Sequence, residues 1–188
     1  MPYYEKYMVE TAPEASKPVL KATKEKVGFI PNLMATMAES PVMVESYLTL
    51  TGLFDQTYLS ETERQIILMT NNCLNDCQYC MAAHTAVSKM SGVDEDVIKA
   101  LRTGTSINDP KLEALRTFSI IIHESRGHPT EEQVEAFIAA GYTKETVLEV
   151  IVGTSLKVRS NYTTPITRPE LDDPFLPLAW DPKMAEAA

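Results

Sequence analysis

Ser60-Glu61-Thr62-Glu63-Arg64-Gln65-Ile66-Ile67-Leu68-Met69-Thr70-Asn71-Asn72-Cys73-Leu74-Asn75-Asp76-Cys77-Gln78-Tyr79-Cys80-Met81-Ala82-Ala83-His84 is the stretch that decides the fold. Ser60 can cap a helix, and Glu63 three residues later completes a capping box. The dense apolar run Ile66 to Met69 then predicts a buried helix reaching about Asn71. Asn72 to Asp76 breaks it. Asp76 is the expected cap of a second helix, ending at Ser91-Gly92, whose first turn holds Cys77 and Cys80. On that helix Cys80 and His84 stand at i and i+4, and Cys77 lies one turn before Cys80, so all three share a face. Cysteines at i and i+3 are about 5 Å apart at Cα, within disulfide range. A helix start favours a thiolate through its dipole and its free amide hydrogens. Two thiols and a base so placed are the parts of a thiol redox site.

Other uses of these residues fit less well. Cys73, Cys77, Cys80 and His84 resemble a zinc ligand series. On one straight helix, though, Cys77 and His84 are about 10 Å apart along the axis, too far to wrap one ion. A thioredoxin-like reading of C-x-x-C needs a preceding strand, and none is predicted. Packing as small hydrophobes suits Cys73, beside an apolar helix, better than the pair.

Outward from this stretch the pattern is helical throughout, with no sustained period-two alternation. Helices are predicted from Pro13-Glu14 to Val27, closed by Gly28, and from Asn32, as cap, to Glu39. Another follows from Ser40-Pro41, and three more over about 94–102, 109–125 and 130–140. The last runs from Thr143 to Val158. After Asn161 the prolines Pro165, Pro169, Pro174, Pro177 and Pro182 alternate with Phe175, Leu176, Leu178 and Trp180. This predicts an extended apolar arm lying on a surface. The organisation expected is one all-α domain over 1–160 and an arm over 161–188. His123, Glu124 and His128 cluster at a helix end and read as structural. Lys157, Arg159, Asn161 and Tyr162, at the end of the last helix, are expected to face a neighbouring subunit rather than a substrate carboxylate.

Bulk properties narrow the function. The chain has 188 residues, 44% hydrophobic and 23% charged, with a net charge of −9; it is of single-domain size. Its acidity argues against a nucleic-acid surface. No apolar run approaches the ~20 residues of a membrane span. The N-terminus, Met1-Pro2-Tyr3-Tyr4-Glu5-Lys6, lacks the pattern of a secretory signal. Three cysteines suit a reducing cytoplasm. No flavin, haem or nucleotide motif is visible, so no cofactor is expected.

Leu59-Ser60-Glu61-Thr62-Glu63-Arg64-Gln65, Asn72, Cys77-Gln78-Tyr79-Cys80 and His84-Thr85 together resemble the core of the carboxymuconolactone decarboxylase / AhpD-like alkylhydroperoxidase superfamily. Gly28 to Leu33 and Ser40-Pro41 are similar to the segments before that core. The resemblance implies an AhpD-like helical bundle forming trimers or hexamers, and a peroxidase of alkyl hydroperoxides recharged by a dithiol protein. It implies Cys80 as the peroxidatic cysteine, Cys77 as the resolving one and His84 as the base. Where such enzymes carry a relay glutamate, twelve positions before the first cysteine, this chain has Gln65. An amide cannot exchange a proton. Either Gln65 holds a water for His84, Glu61 one turn earlier substitutes through a water, or His84 works without a carboxylate. Met81 and the 66–69 helix are expected to form an apolar wall, with Tyr79 shaping the pocket. The alternatives are a lyase of the decarboxylase kind, against which the cysteine pair speaks, and a non-catalytic thiol sensor.

Overall fold

In the computed structural model, which describes residues 4–186, the chain is all-α, with no strand among the described residues. Met1-Pro2-Tyr3 and the last two positions of the arm lie outside them. Among the described residues ten α-helices follow in order: α1 (Lys17–Val27), α2 (Asn32–Met37), α3 (Pro41–Phe54), α4 (Glu61–Leu74), α5 (Gln78–Met90), α6 (Glu95–Thr103), α7 (Pro110–Glu124), α8 (Glu131–Ala139), α9 (Lys144–Thr167) and α10 (Lys183–Glu186). No helix is long and apolar enough to cross a membrane, among the described residues.

Local chemistry sets the boundaries. Ser60 and Glu63 form the expected reciprocal capping box on α4, and Thr130 with Gln133 makes another on α8. Asp94, Asp109 and Thr143 cap α6, α7 and α9. Gly28 closes α1 in the left-handed conformation at φ 90°.

Several boundaries differ from expectation, and α4 runs on through Asn72 and Cys73 to Leu74 rather than breaking after Asn71. Asn32 is the first residue of α2, not its cap. The carboxylate of Asp172, far along the chain, accepts from the Asn32 N–H at 3.0 Å instead. Asp76 does not cap α5 either. It turns into the left-handed region at φ 50° to end α4, its N–H bonded to Cys73 O, so the cap position passes to Cys77. Finally, α9 runs nine residues past Val158, through Pro165 to Thr167. Proline there leaves the carbonyl of Asn161 without its helical donor. The Thr164 hydroxyl supplies one at 3.0 Å, and the helix continues.

The arm therefore begins at Arg168, and it lies on the chain's own surface rather than running fully extended. A 3₁₀ segment, Asp173–Leu178, precedes the single turn of α10. Phe175 meets the Tyr79 ring edge-on at 6.2 Å between centroids. Trp180 donates to Arg102 O at 2.7 Å, while the Arg102 guanidinium returns bonds to Leu178 O and Ala179 O.

At the centre is α4, packed against α5, α6, α7 and α9. Ile66, Ile67 and Met69 are fully buried there. Where α9 crosses α3 and α4, Gly153 is required by space. A Cβ at that position would sit 2.6 Å from Ile67 Cγ2 and 2.9 Å from Phe54 Cζ.

Candidate active site

Cys77 and Cys80 form a disulfide at the start of α5, with Cα atoms 5.3 Å apart. Cys77 is the cap residue, and its Sγ accepts from the Cys80 N–H at 3.3 Å. The pair thus sits among first-turn amides whose hydrogens have no helical partner. The Cys80 carbonyl accepts from Asn72 Nδ2 at 3.2 Å.

One turn beyond Cys80, His84 has both ring nitrogens engaged. Nδ1 lies 2.8 Å from Gln65 Oε1, and Nε2 lies 2.9 Å from Lys157 Nζ. Gln65 Nε2 reaches Glu61 Oε1 at 2.8 Å, and Glu61's other oxygen is paired to Arg64. These bonds fix the protons. Glu61 accepts from the Gln65 amide nitrogen, so the amide oxygen must face His84. Only an Nδ1–H can donate to it, and Nε2 is left with the lone pair, which faces the Lys157 ammonium. Burial first, and then the charge of Lys157, hold the His84 pKa well below its ordinary value. The imidazole is neutral, as a base should be.

Gln65 therefore touches His84 directly rather than holding a water for it, and Glu61 connects through that amide. Lys157 was expected at a subunit surface. It is 1% exposed and sits inside the site. Its pKa falls to about 7 through burial. Among the described residues no carboxylate pairs with it.

Lys157 belongs to a polar stripe on α9 with Asn161 and Thr164, at i, i+4 and i+7. Opposite them lie the start of α5, running antiparallel, and the last turn of α4. Lys157 meets His84, Asn161 Nδ2 bonds Asn72 Oδ1 at 2.9 Å, and Thr164 Oγ1 lies 3.2 Å from Cys77 Sγ. Asn161 is thus also internal, whereas Tyr162 is exposed and Arg159 bonds back to Ser155 O. A cleft of about 300 Å³, lined by Asn75, Asp76, Thr164 and Arg168, ends on Cys77.

Other expected residues lie elsewhere. His123 bonds Asn71 and His128 bonds the turn carbonyls of Ser125 and Arg126, both as local structure. Cys73 packs near Gly104, its thiol pKa raised by burial. The Tyr79 hydroxyl points to the arm, donating to Asp172 at 2.6 Å and accepting from the Leu33 N–H. Sequence reading missed Lys157 and Thr164 as site residues. The signal was there: both fall on the same helical face as the buried Val150 and Gly153.

The all-α fold thus carries a cysteine pair at a helix start and a histidine, hydrogen-bonded through both ring nitrogens, one turn on. Residues 47–118, which contain the pair, Gln65 and His84, match the model of the carboxymuconolactone decarboxylase family. The match bears out the family resemblance read from the sequence. Among solved structures, the chain is similar to an uncharacterized peroxidase-related protein from Ralstonia eutropha JMP134, described as an alkylhydroperoxidase AhpD core. The TM-score is 0.81 at 21% identity, covering 92% of this chain and 93% of that one. A peroxidase-related protein from Silicibacter sp. TM1040 matches with TM-score 0.78 and 17% identity, over 93% and 94% of the two chains. The debrominase Bmp8 bound to 2,3,4-tribromopyrrole matches with TM-score 0.75 and 17% identity, over 92% and 93%. These likenesses establish the AhpD-like fold. No curated protein matches the chain.

Proposed function

We propose that the chain is a thiol-dependent peroxidase and disulfide oxidoreductase that reduces alkyl hydroperoxides through Cys77 and Cys80. The observation that carries this reading is the disulfide at the head of α5 with neutral His84 one turn beyond. In the reduced state His84 takes the Cys80 proton, and the first-turn amides favour the thiolate. The thiolate attacks the O–O bond, and the leaving alkoxide takes a proton to depart as the alcohol. Cys80 is left as a sulfenic acid. Cys77 attacks it, water leaves, and the disulfide forms, two electrons having passed from the thiols to the peroxide. A dithiol protein then attacks the disulfide and resets the pair. The cleft supports Cys77 as the sulfur attacked. Such recharging suits a cytoplasmic location, where reduced dithiols are maintained.

Self-assembly completes the proposal. On α9, Leu148, Ile151, Val158, Tyr162 and Ile166 are all exposed. They fall at spacings of three, four and seven on the face opposite Lys157, a stripe of about 27 Å. This stripe is assigned to packing against other copies in a trimer or hexamer. Ile151→Glu combined with Ile166→Glu is expected to yield monomers by light scattering, and an unchanged mass would remove the assignment.

Stopped-flow mixing of pre-reduced protein with an organic hydroperoxide tests the function, with free thiols counted alongside. Loss of two thiols per chain, far faster than free cysteine reacts, is the expected result. Thiols that survive the peroxide overturn it. A halogenated pyrrole run as a parallel electrophile then asks whether the pair serves the chemistry named for Bmp8.

A further inference from the structure

Gln65 and Lys157 depart from a carboxylate–histidine base in a coordinated way. A carboxylate at position 65 would accept from Nδ1 and hold a positive charge on the ring. Here the amide is neutral, and a positive charge stands on the other side of the ring, 2.9 Å from Nε2. A buried ammonium without a carboxylate is costly to keep. What it gains is one acceptor, the sole lone pair of His84. While Lys157 is charged, that lone pair is occupied and His84 cannot act as a base. Once Lys157 is neutral, the lone pair is free, and the amine itself becomes a second acceptor.

Resting on the reading of Cys77 and Cys80 as a reactive pair, we propose that Lys157 is a positioning residue of the redox site. Its ammonium locks His84 in the Nδ1–H tautomer, and release of its proton switches His84 on as the base for the Cys80 thiol. The thiol proton arrives at Nε2, is shared with the neutral amine, and passes to the departing group once the thiolate has reacted.

The surroundings leave Lys157 as the group that titrates this switch. From α5 it is faced by His84 and, along the same seam, the cysteine pair. From α4 come Gln65 and, one bond further, Glu61 held by Arg64. From α3 comes the Tyr47 phenol, beside Ser160, with its pKa raised by burial. Within Asn32–Met37, α2 has no titratable side chain, and on α7 His123 is tied to Asn71.

The test uses the full chain with Cys73→Ser as background, reduced, with alkylation of Cys80 by iodoacetamide followed by mass spectrometry across the neutral range. The unmodified site is expected to show a limb rising near pH 7, where burial places the lysine. Lys157→Met leaves the lone pair always free, so the limb moves to lower pH by about one unit or more. Lys157→Arg never releases its proton, so the limb disappears and the alkaline rate falls about tenfold or more. A limb unchanged in either variant overturns the proposal, since a purely structural lysine would alter rates and not the profile. The ¹⁵N shifts of His84 in the unsubstituted chain give a reading that needs no lysine variant. They should report the Nδ1–H tautomer at neutral pH, and an imidazolium there would also overturn the proposal. Because iodoacetamide replaces the hydroperoxide, the switch and the peroxidase reading fail separately.

Discussion

Two seams meet on α4, and they are built on opposite principles. Towards α7 and α8 the packing is dry. Phe118 stacks on Phe137 at 4.2 Å and Phe137 on Tyr142 at 4.5 Å, with Ile66, Leu115 and Ile122 around them. Where α9 faces α5 and the end of α4 the contacts are polar: a lysine on a histidine and a hydroxyl on a sulfur towards α5, and an amide on an amide towards α4. Apolar packing stabilises without fixing which atom faces which. Hydrogen bonds contribute less net stability but set orientation and tautomer. The fold draws stability from the first seam and orients the cysteine pair and His84 in the second.

The largest expected effects come from breaking the polar seam at its sulfur end. Cys80→Ser should abolish all thiol turnover. Cys77→Ser should complete one reaction with peroxide and stop as the sulfenic acid, trappable by a dimedone-type probe. Equal activity in the two variants would reverse or remove their assigned roles, and with them the distinction between the seams.

The dry seam was legible in the sequence and the polar seam only at one end. Ser60, Glu63 and the run Ile66 to Met69 announced α4 because capping and apolar density are local signals. The cysteine pair and His84 were legible for the same reason: all three lie within one helix. What faces them was not. Lys157 comes from a helix 73 residues further on, and α9 presents its charge inward and its apolar stripe outward. A lysine beside exposed Val158 and Tyr162 therefore read as surface. Asp172 was hidden likewise, since its role as cap of α2 exists only once the arm has folded back. Asp76 failed as a cap because ending α4 claimed its backbone first.

A second effect sharpens the contrast by pH. Lys157 has its pKa lowered from 10.5 to about 7 on folding. Between those values the unfolded chain binds the extra proton, so raising the pH through that window favours the folded state. Lys157→Met removes this dependence. The variant should be more stable than the unsubstituted chain at pH 7 and below. Its advantage should shrink by about 1.4 kcal/mol per pH unit above that. Denaturant unfolding at several pH values measures it, and a constant difference would mean that Lys157 stays charged in the fold. Apolar packing on α9 itself, where it crosses α3 and α4, gives a smaller and pH-independent effect. Gly153→Ala adds a methyl that collides with Ile67 and Phe54, and overpacking of this kind costs about 1–3 kcal/mol. Alanine's better helix propensity returns at most about 1 kcal/mol of it. A neutral or stabilising result would show that α9 can shift against α4.

The smallest effect isolates the shared helix from both seams. Ser60→Ala removes the side-chain acceptor of the α4 capping box, leaving the Glu63 N–H without it, a loss of about 1 kcal/mol. Ser60 lies more than a turn before Gln65, and the Glu61–Gln65–His84 bonds are made by side chains that take no part in the box. Stability should therefore fall, while the pH profile of thiol alkylation stays where it was. If the profile moved with it, the start of α4 would be setting the position of Gln65. The polar seam would then depend on helix capping as well as on the facing residues of α9.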